Sequence, residues 1–143
     1  MRKINYIVVH CSATREGCTL TSEALEAERG FRTTGYHYYI RRDGTVLGTR
    51  SLELPGAHCR GHNKYSIGIC YEGGLDARGN PKDTRTPEQR SALHLLVYQL
   101  LQQFRNARVC GHRDLSPDLD GDGKVEPREW VKQCPCFEVS KEF

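Results

Sequence analysis

The sequence contains no hydrophobic stretch that approaches the length needed to cross a bilayer. Its first apolar run, Tyr6 to Val9, is closed by His10 and is far too short for the h-region of a secretory signal. We therefore expect a chain made in the cytoplasm without a signal peptide. No internal repeat, low-complexity linker or run of five or more Lys and Arg is present, and a formal net charge of +3 leaves only a weak bias toward anionic partners. A nucleic-acid tail is excluded, a membrane partner is not expected, and the chain is expected to be a monomer. An even set of cysteines is also missing. Seven cysteines without a secretion signal point to free thiols or metal ligands, not to a disulfide framework.

What is present fits one compact domain over residues 1–143: 37% of the residues are hydrophobic and 27% charged. Ile4 to Cys11 is a β-branched run and reads as a buried strand, with Tyr6, Val8 and His10 on one face by the two-residue period. Thr21 to Arg29 reads as a capped helix ended by Gly30. GYHYYIRRDGTVLGTR places two strand-like runs around Asp43-Gly44, the short-range signature of a hairpin. Residues 51 to 65 form a loop rich in Gly and His, Ser66 to Tyr71 a further strand, and Ala107 to Cys110 a brief strand leading into His112. Thr86-Pro87-Glu88 opens one long helix with Leu93, Leu96, Val97, Leu100, Leu101 and Phe104 at helical spacing. Strands alternating with helices predict an α/β domain with a central mixed sheet flanked by helices.

Three residues stand out chemically. His10, His112 and Cys134 would make a His, His, Cys ligand set, which leaves zinc a fourth position for water. Each also has a plain structural reading, as a core histidine, a turn residue and a buried thiol, and no compact CxxC or HExxH motif ties them together. Lys132 stands two residues before Cys134; in an extended segment both side chains leave the same face, although a solvated lysine is the commoner fate. Between His112 and Cys134 lies DLDGDGKVEPRE, which places Asp118, Asp120, Asp122, Gly123 and Glu129 at the spacing of a calcium loop. Lys124 would add its backbone carbonyl, Glu126 a direct or water-bridged contact, and Val125 the usual apolar side chain. Asp and Gly also favour turns without a metal.

Several stretches in order, IVVHCSAT, GYHYYIRRDGTV, AHCRGHNKYSIGICYEGG, the helix after TPEQ, GHRDLSP and KQCPCFEV, resemble the type-2 N-acetylmuramoyl-L-alanine amidases. That family includes bacteriophage lysozyme-amidases and peptidoglycan recognition proteins. The resemblance implies a zinc enzyme that cuts the amide between the lactyl group of N-acetylmuramic acid and L-alanine in peptidoglycan. His10, His112 and Cys134 fall on the family's zinc ligands, and Tyr36 and Lys132 on the two residues that assist catalysis in the phage branch. His58 and Asn63, in the long loop, are expected to line the substrate cleft. Some cellular relatives carry a Glu where this chain has Cys70; phage-type relatives have Cys there, so the Tyr and Lys version transfers, with Glu72 a weaker candidate base. Phage-type relatives also have only a few residues between the second His and the Cys, so the acidic stretch reads as an insertion over residues 114–131.

Two other classes compete. A non-hydrolytic peptidoglycan-binding module could keep the fold, but in this family it usually lacks the cysteine ligand, which is present here. A calcium sensor needs a helix entering the loop, and Ser116-Pro117 disfavours one. Without a signal, an enzyme of this kind would reach the cell wall by release or export.

Overall fold

A computed structural model describes residues 2–18, 35–116, 119, 121, 122, 125, 127, 130 and 133–143. The helix expected at Thr21 to Arg29 lies outside the described residues, as do Asp118, Asp120, Gly123, Lys124, Glu126, Glu129 and Lys132.

In chain order the elements are β1 (Tyr6–Cys11), β2 (Thr14–Arg15), β3 (Tyr38–Ile40), β4 (Val46–Gly48), β5 (Ser66–Tyr71), β6 (Gly74–Leu75), α1 (Pro87–Gln103) and β7 (Arg108–Gly111). Five strands form one sheet in the order β4-β3-β5-β1-β7. β1 runs parallel to both β5 and β7, β3 runs parallel to β5, and β4 returns antiparallel to β3. The result is the α/β class with a mixed sheet. β2 and β6 pair separately as a short parallel ribbon.

β1 lies between two neighbours and is buried from Ile7 to Cys11. That explains its unbroken apolar character, because a central parallel strand is covered on both faces. Ile4 is buried as well, but the strand itself begins at Tyr6, two residues later than the apolar run suggests. The pleat then separates two sets of side chains. Ile7, Val9 and Cys11 join Ile67, Ile69 and Tyr71 of β5 and Leu93, Leu96, Val97 and Leu100 of α1 in the main core. Each such fully buried aliphatic side chain contributes on the order of 1.5–3 kcal/mol. Val8 and His10 alternate with these residues and so project to the face opposite α1. There Tyr36, Tyr39 and Cys70 form a second, smaller cluster.

The turns hold this arrangement. Gly44 has φ +89 at the β3–β4 turn, and a Cβ there would meet Glu88 at 3.0 Å, so the hairpin tip sits against the first turn of α1. Thr86 caps α1 with Pro87 behind it, and Gln89 closes a capping box. Gln89 is fully buried; its amide donates to Ile40 O (3.2 Å) and Glu72 O (2.9 Å), which docks the helix start onto the ends of β3 and β5. Leu101 and Phe104, expected on the apolar face, are only half-buried. Beyond the sheet, Phe137 and Val139 enter the core, and Arg85 stacks on the Phe137 ring at 3.4 Å while bridging Asp83 and Glu142.

Candidate metal centre and cleft

The parallel order of β1 and β7 determines where their carboxyl ends meet. His10 is the penultimate residue of β1, and His112 opens a tight 3-10 turn, His112–Leu115, directly after β7. The Gly111 N–H donates to the Asp114 carboxylate (2.8 Å) and fixes that turn. The segment carrying Cys134 is tied to β1, to β5 and to the turn after β7. Arg113 N donates to Cys134 O (2.9 Å), Tyr71 Oη donates to Pro135 O (2.5 Å), and Cys11 N donates to Cys134 Sγ (3.1 Å). Gly111 permits this approach, since a Cβ there would meet Pro135 Cδ at 2.7 Å.

The three candidate ligands therefore converge. One ligand atom from each of His10, His112 and Cys134 lies within 4.8 Å of the others, and the His10 and His112 rings are 4.6 Å apart. Two imidazoles and one thiol are a borderline-soft donor set of the kind zinc accepts, and three protein ligands are what a catalytic rather than a structural site provides. No other group of three or more such side chains occurs among the described residues. All seven thiols are free. Cys11, beside Cys134, is pushed up to about 12, chiefly by its contact with Cys134 and further by burial, so it remains a neutral thiol.

The cluster opens into a cleft of about 760 Å³ lined among others by Tyr36, His58, Asn63, His112 and Cys134. This is a size that accommodates a sizeable ligand. Tyr36 stands with its ring 5.1 Å from that of His10, and its carbonyl accepts the Thr49 hydroxyl (2.8 Å). Glu72 does not line the cleft. It is buried at the end of β5, where it accepts the Tyr39 hydroxyl (3.0 Å) and the Arg42 N–H (3.4 Å), so the structure gives it a structural place and not that of a base. Tyr38 and Tyr39 pack the sheet as strand tyrosines do.

His58 and Asn63 both line this cleft, but their polar atoms turn inward. His58 Nδ1 is 2.9 Å from His10 Nε2, and its Nε2 is 3.2 Å from Ser66 Oγ. Asn63 Oδ1 accepts the backbone N–H of both His58 and Cys59 (2.9 Å each). Burial holds the His58 imidazole down to about 3. Ser66 was not singled out in the sequence, where nothing but its place at the start of a strand marks it. Of the acidic loop, Asp122 is described, while its proposed partners, like Lys132, fall outside the described residues. Past the loop, Trp130 lies beneath the Arg113 guanidinium at 3.9 Å. Among the described residues no helix is long and apolar enough to cross a membrane.

Comparison with known proteins agrees with this geometry. The N-acetylmuramoyl-L-alanine amidase family matches residues 1–135. The endolysin of Klebsiella phage KP32 is 35% identical over 143 residues, covering 98% of this chain and 85% of the phage protein. The endolysin of Escherichia phage T7 is 33% identical over 138 residues, covering 94% and 82%. Among solved structures, an endolysin N-acetylmuramoyl-L-alanine amidase from Clostridium intestinale superposes with a TM-score of 0.73 at 26% identity, covering 99% of this chain and 80% of that one. A bumblebee peptidoglycan recognition protein shares the fold with a TM-score of 0.68 at 22% identity, covering 99% and 81%.

Proposed function

We propose, on the premise that the chain belongs to the N-acetylmuramoyl-L-alanine amidase family, that it is a zinc-dependent enzyme whose metal is held by His10, His112 and Cys134. Its substrate is peptidoglycan, and the bond cut is the amide between N-acetylmuramic acid and L-alanine. The observation that carries the zinc reading is the convergence of the three ligand atoms within 4.8 Å at the mouth of a cleft. When bound there, zinc supplies Lewis acidity toward the scissile carbonyl and a water acidic enough to ionise near neutral pH.

The chain's own residues divide the remaining work. The cleft orients the lactyl group and the stem peptide so that the lactyl carbonyl faces the metal site. Tyr36, buried beside His10, holds the attacking water or carries its proton. Lys132 stabilises the oxyanion of the tetrahedral intermediate, a contribution on the order of 3 kcal/mol for a donor of this kind. The acidic loop is read as a second, calcium site built on Asp118, Asp120, Asp122, Lys124 and Glu129, a reading that rests on their spacing. Calcium would order the path into Lys132 and Cys134. Residues 1–143 act as one zinc amidase domain with that loop inserted at 114–131, working as a monomer on the cell wall after release or export.

Mass spectrometry of purified peptidoglycan after digestion tests this directly. Glycan strands freed of peptide, together with intact peptides that begin with L-alanine, are expected from the zinc-loaded protein, with loss of both after chelation and recovery on zinc addition. Cleavage at any other bond refutes the substrate assignment. Undiminished cleavage in chelator refutes the metal. Peptidoglycan that is bound but left uncut identifies a binding module.

A further inference from the structure

His58 occupies a socket made for an imidazole. Its ring lies against Gly56 and Gly68; a Cβ at Gly56 would meet Cδ2 at 2.4 Å, and one at Gly68 would meet Cδ2 and Cγ at 2.6 Å. Neither glycine has φ in the left-handed region, so space for the ring, and not backbone conformation, is what these positions supply. The backbone of His58 is pinned by Asn63, and the two ring nitrogens are taken by His10 and Ser66. A buried ring satisfied at both nitrogens has little left to offer a sugar or a peptide. Of the candidate site residues, His10 is the one it hydrogen-bonds, while Tyr36 stands with its ring 6.5 Å away.

We infer that His58 is a positioning residue for the metal centre: its Nδ1 accepts the Nε2–H of His10 and thereby fixes the tautomer and orientation in which His10 presents Nδ1 to the metal. The inference rests on the zinc reading given above. A metal-binding nitrogen must carry a lone pair, so the proton of a neutral His10 belongs on the other nitrogen, and that nitrogen is the one 2.9 Å from His58. Accepting there makes His58 Nε2 its protonated nitrogen, which then donates to Ser66 Oγ at 3.2 Å. The hydrogen bonds run in one direction, from His10 through His58 to Ser66 on β5. Asn63 extends the support by holding the loop that delivers the ring. Both loop residues expected to touch substrate thus act inward, on the ligand.

The test measures zinc affinity by competition with a chromophoric chelator, using the full chain as wild type, His58→Phe, His58→Gln and Gly68→Ala. His58→Phe is expected to weaken zinc by about 10–100-fold. His58→Gln, whose side-chain oxygen can accept the same proton, should recover most of that loss, and Gly68→Ala should weaken zinc without altering any ligand. Long-range proton–nitrogen spectra of the zinc-loaded wild type should show the His10 proton on Nε2, and this readout stands even if a variant fails to fold. Wild-type zinc affinity in His58→Phe, equal losses in the Phe and Gln variants, or a His10 proton on Nδ1 would each overturn the positioning role while leaving the zinc enzyme intact. A wild type that binds no zinc overturns the metal reading itself, and this role with it.

Discussion

Tyr71→Phe isolates one hydrogen bond between the core and the metal centre. Tyr71 is fully buried at the end of β5, and burial drives its phenol well above the ordinary tyrosine range, so it donates at every working pH. Its partner, Pro135 O, adjoins the candidate ligand Cys134, and the bond itself is buried. Removing the hydroxyl keeps the ring and its contact with Phe137, centroids 6.2 Å apart, but leaves a buried carbonyl without that donor. The cost of such a loss is about 1–3 kcal/mol. Urea denaturation of the metal-free protein should therefore show a lower midpoint with an unchanged slope. Because the bond also fixes the segment bearing Cys134, the rise in Tm produced by adding zinc should be smaller in the variant than in the wild type. Stability within about 0.3 kcal/mol of wild type would refute the first step of this reasoning; a lower midpoint with the full zinc-induced rise in Tm would refute the second.

Cys134→Ser should keep the fold but lose most bound zinc and most activity, since a hydroxyl is a poor ligand beside a thiolate; metal analysis and turnover measured together check this. Lys132→Ala should lower kcat by about 100-fold with zinc content unchanged, because its proposed contact exists only in the transition state, and normal turnover would remove it from the mechanism. Adding Ca²⁺ to zinc-loaded, calcium-stripped protein should release heat and raise Tm, whereas no heat and no shift at millimolar Ca²⁺ would reduce the acidic loop to a turn. Acid should loosen the segment that ends at Glu142: hydrogen bonding to Arg85 lowers its carboxyl from 4.5 to about 2, so the pair's stabilisation is complete above pH 4.5 and disappears as pH falls toward 2. Because Glu142 is partly exposed, the effect is screened, and Glu142→Gln should flatten the acid limb of the melting profile.

The parts of this fold that were legible beforehand carry local signals. The two-residue period of β1 correctly placed His10 opposite Ile7 and Val9, Asp43-Gly44 marked the hairpin, and Thr86-Pro87 marked the start of α1. The candidate ligand set was legible only as three residue types with a shared affinity, made specific by resemblance, because residues so far apart are brought together by strand order, which leaves no trace in spacing. What escaped was long-range hydrogen bonding. Spacing does not distinguish His58 as a neighbour of His10 from His58 as a loop residue facing substrate; the difference lies in Ser66 and Gly68 on β5 and in the room that Gly56 leaves beside the ring. Gln89 was likewise an unremarked helix residue until its amide was seen to join two strand ends.

The contact from Cys11 to Cys134 spans 123 residues of sequence, yet it closes the same small cluster that His10 opens. Hydrolytic competence is consequently a property of the assembled whole. A partial chain that stops short of either side of this span cannot collect the three candidate ligands, and a chain whose sheet has come apart scatters them. Contacts of such long range form late and slowly compared with local ones. Metal uptake during refolding would then act as a completion signal, reporting the moment at which the most distant strands have found their register, and metal loss on heating would date the reverse event from inside the molecule.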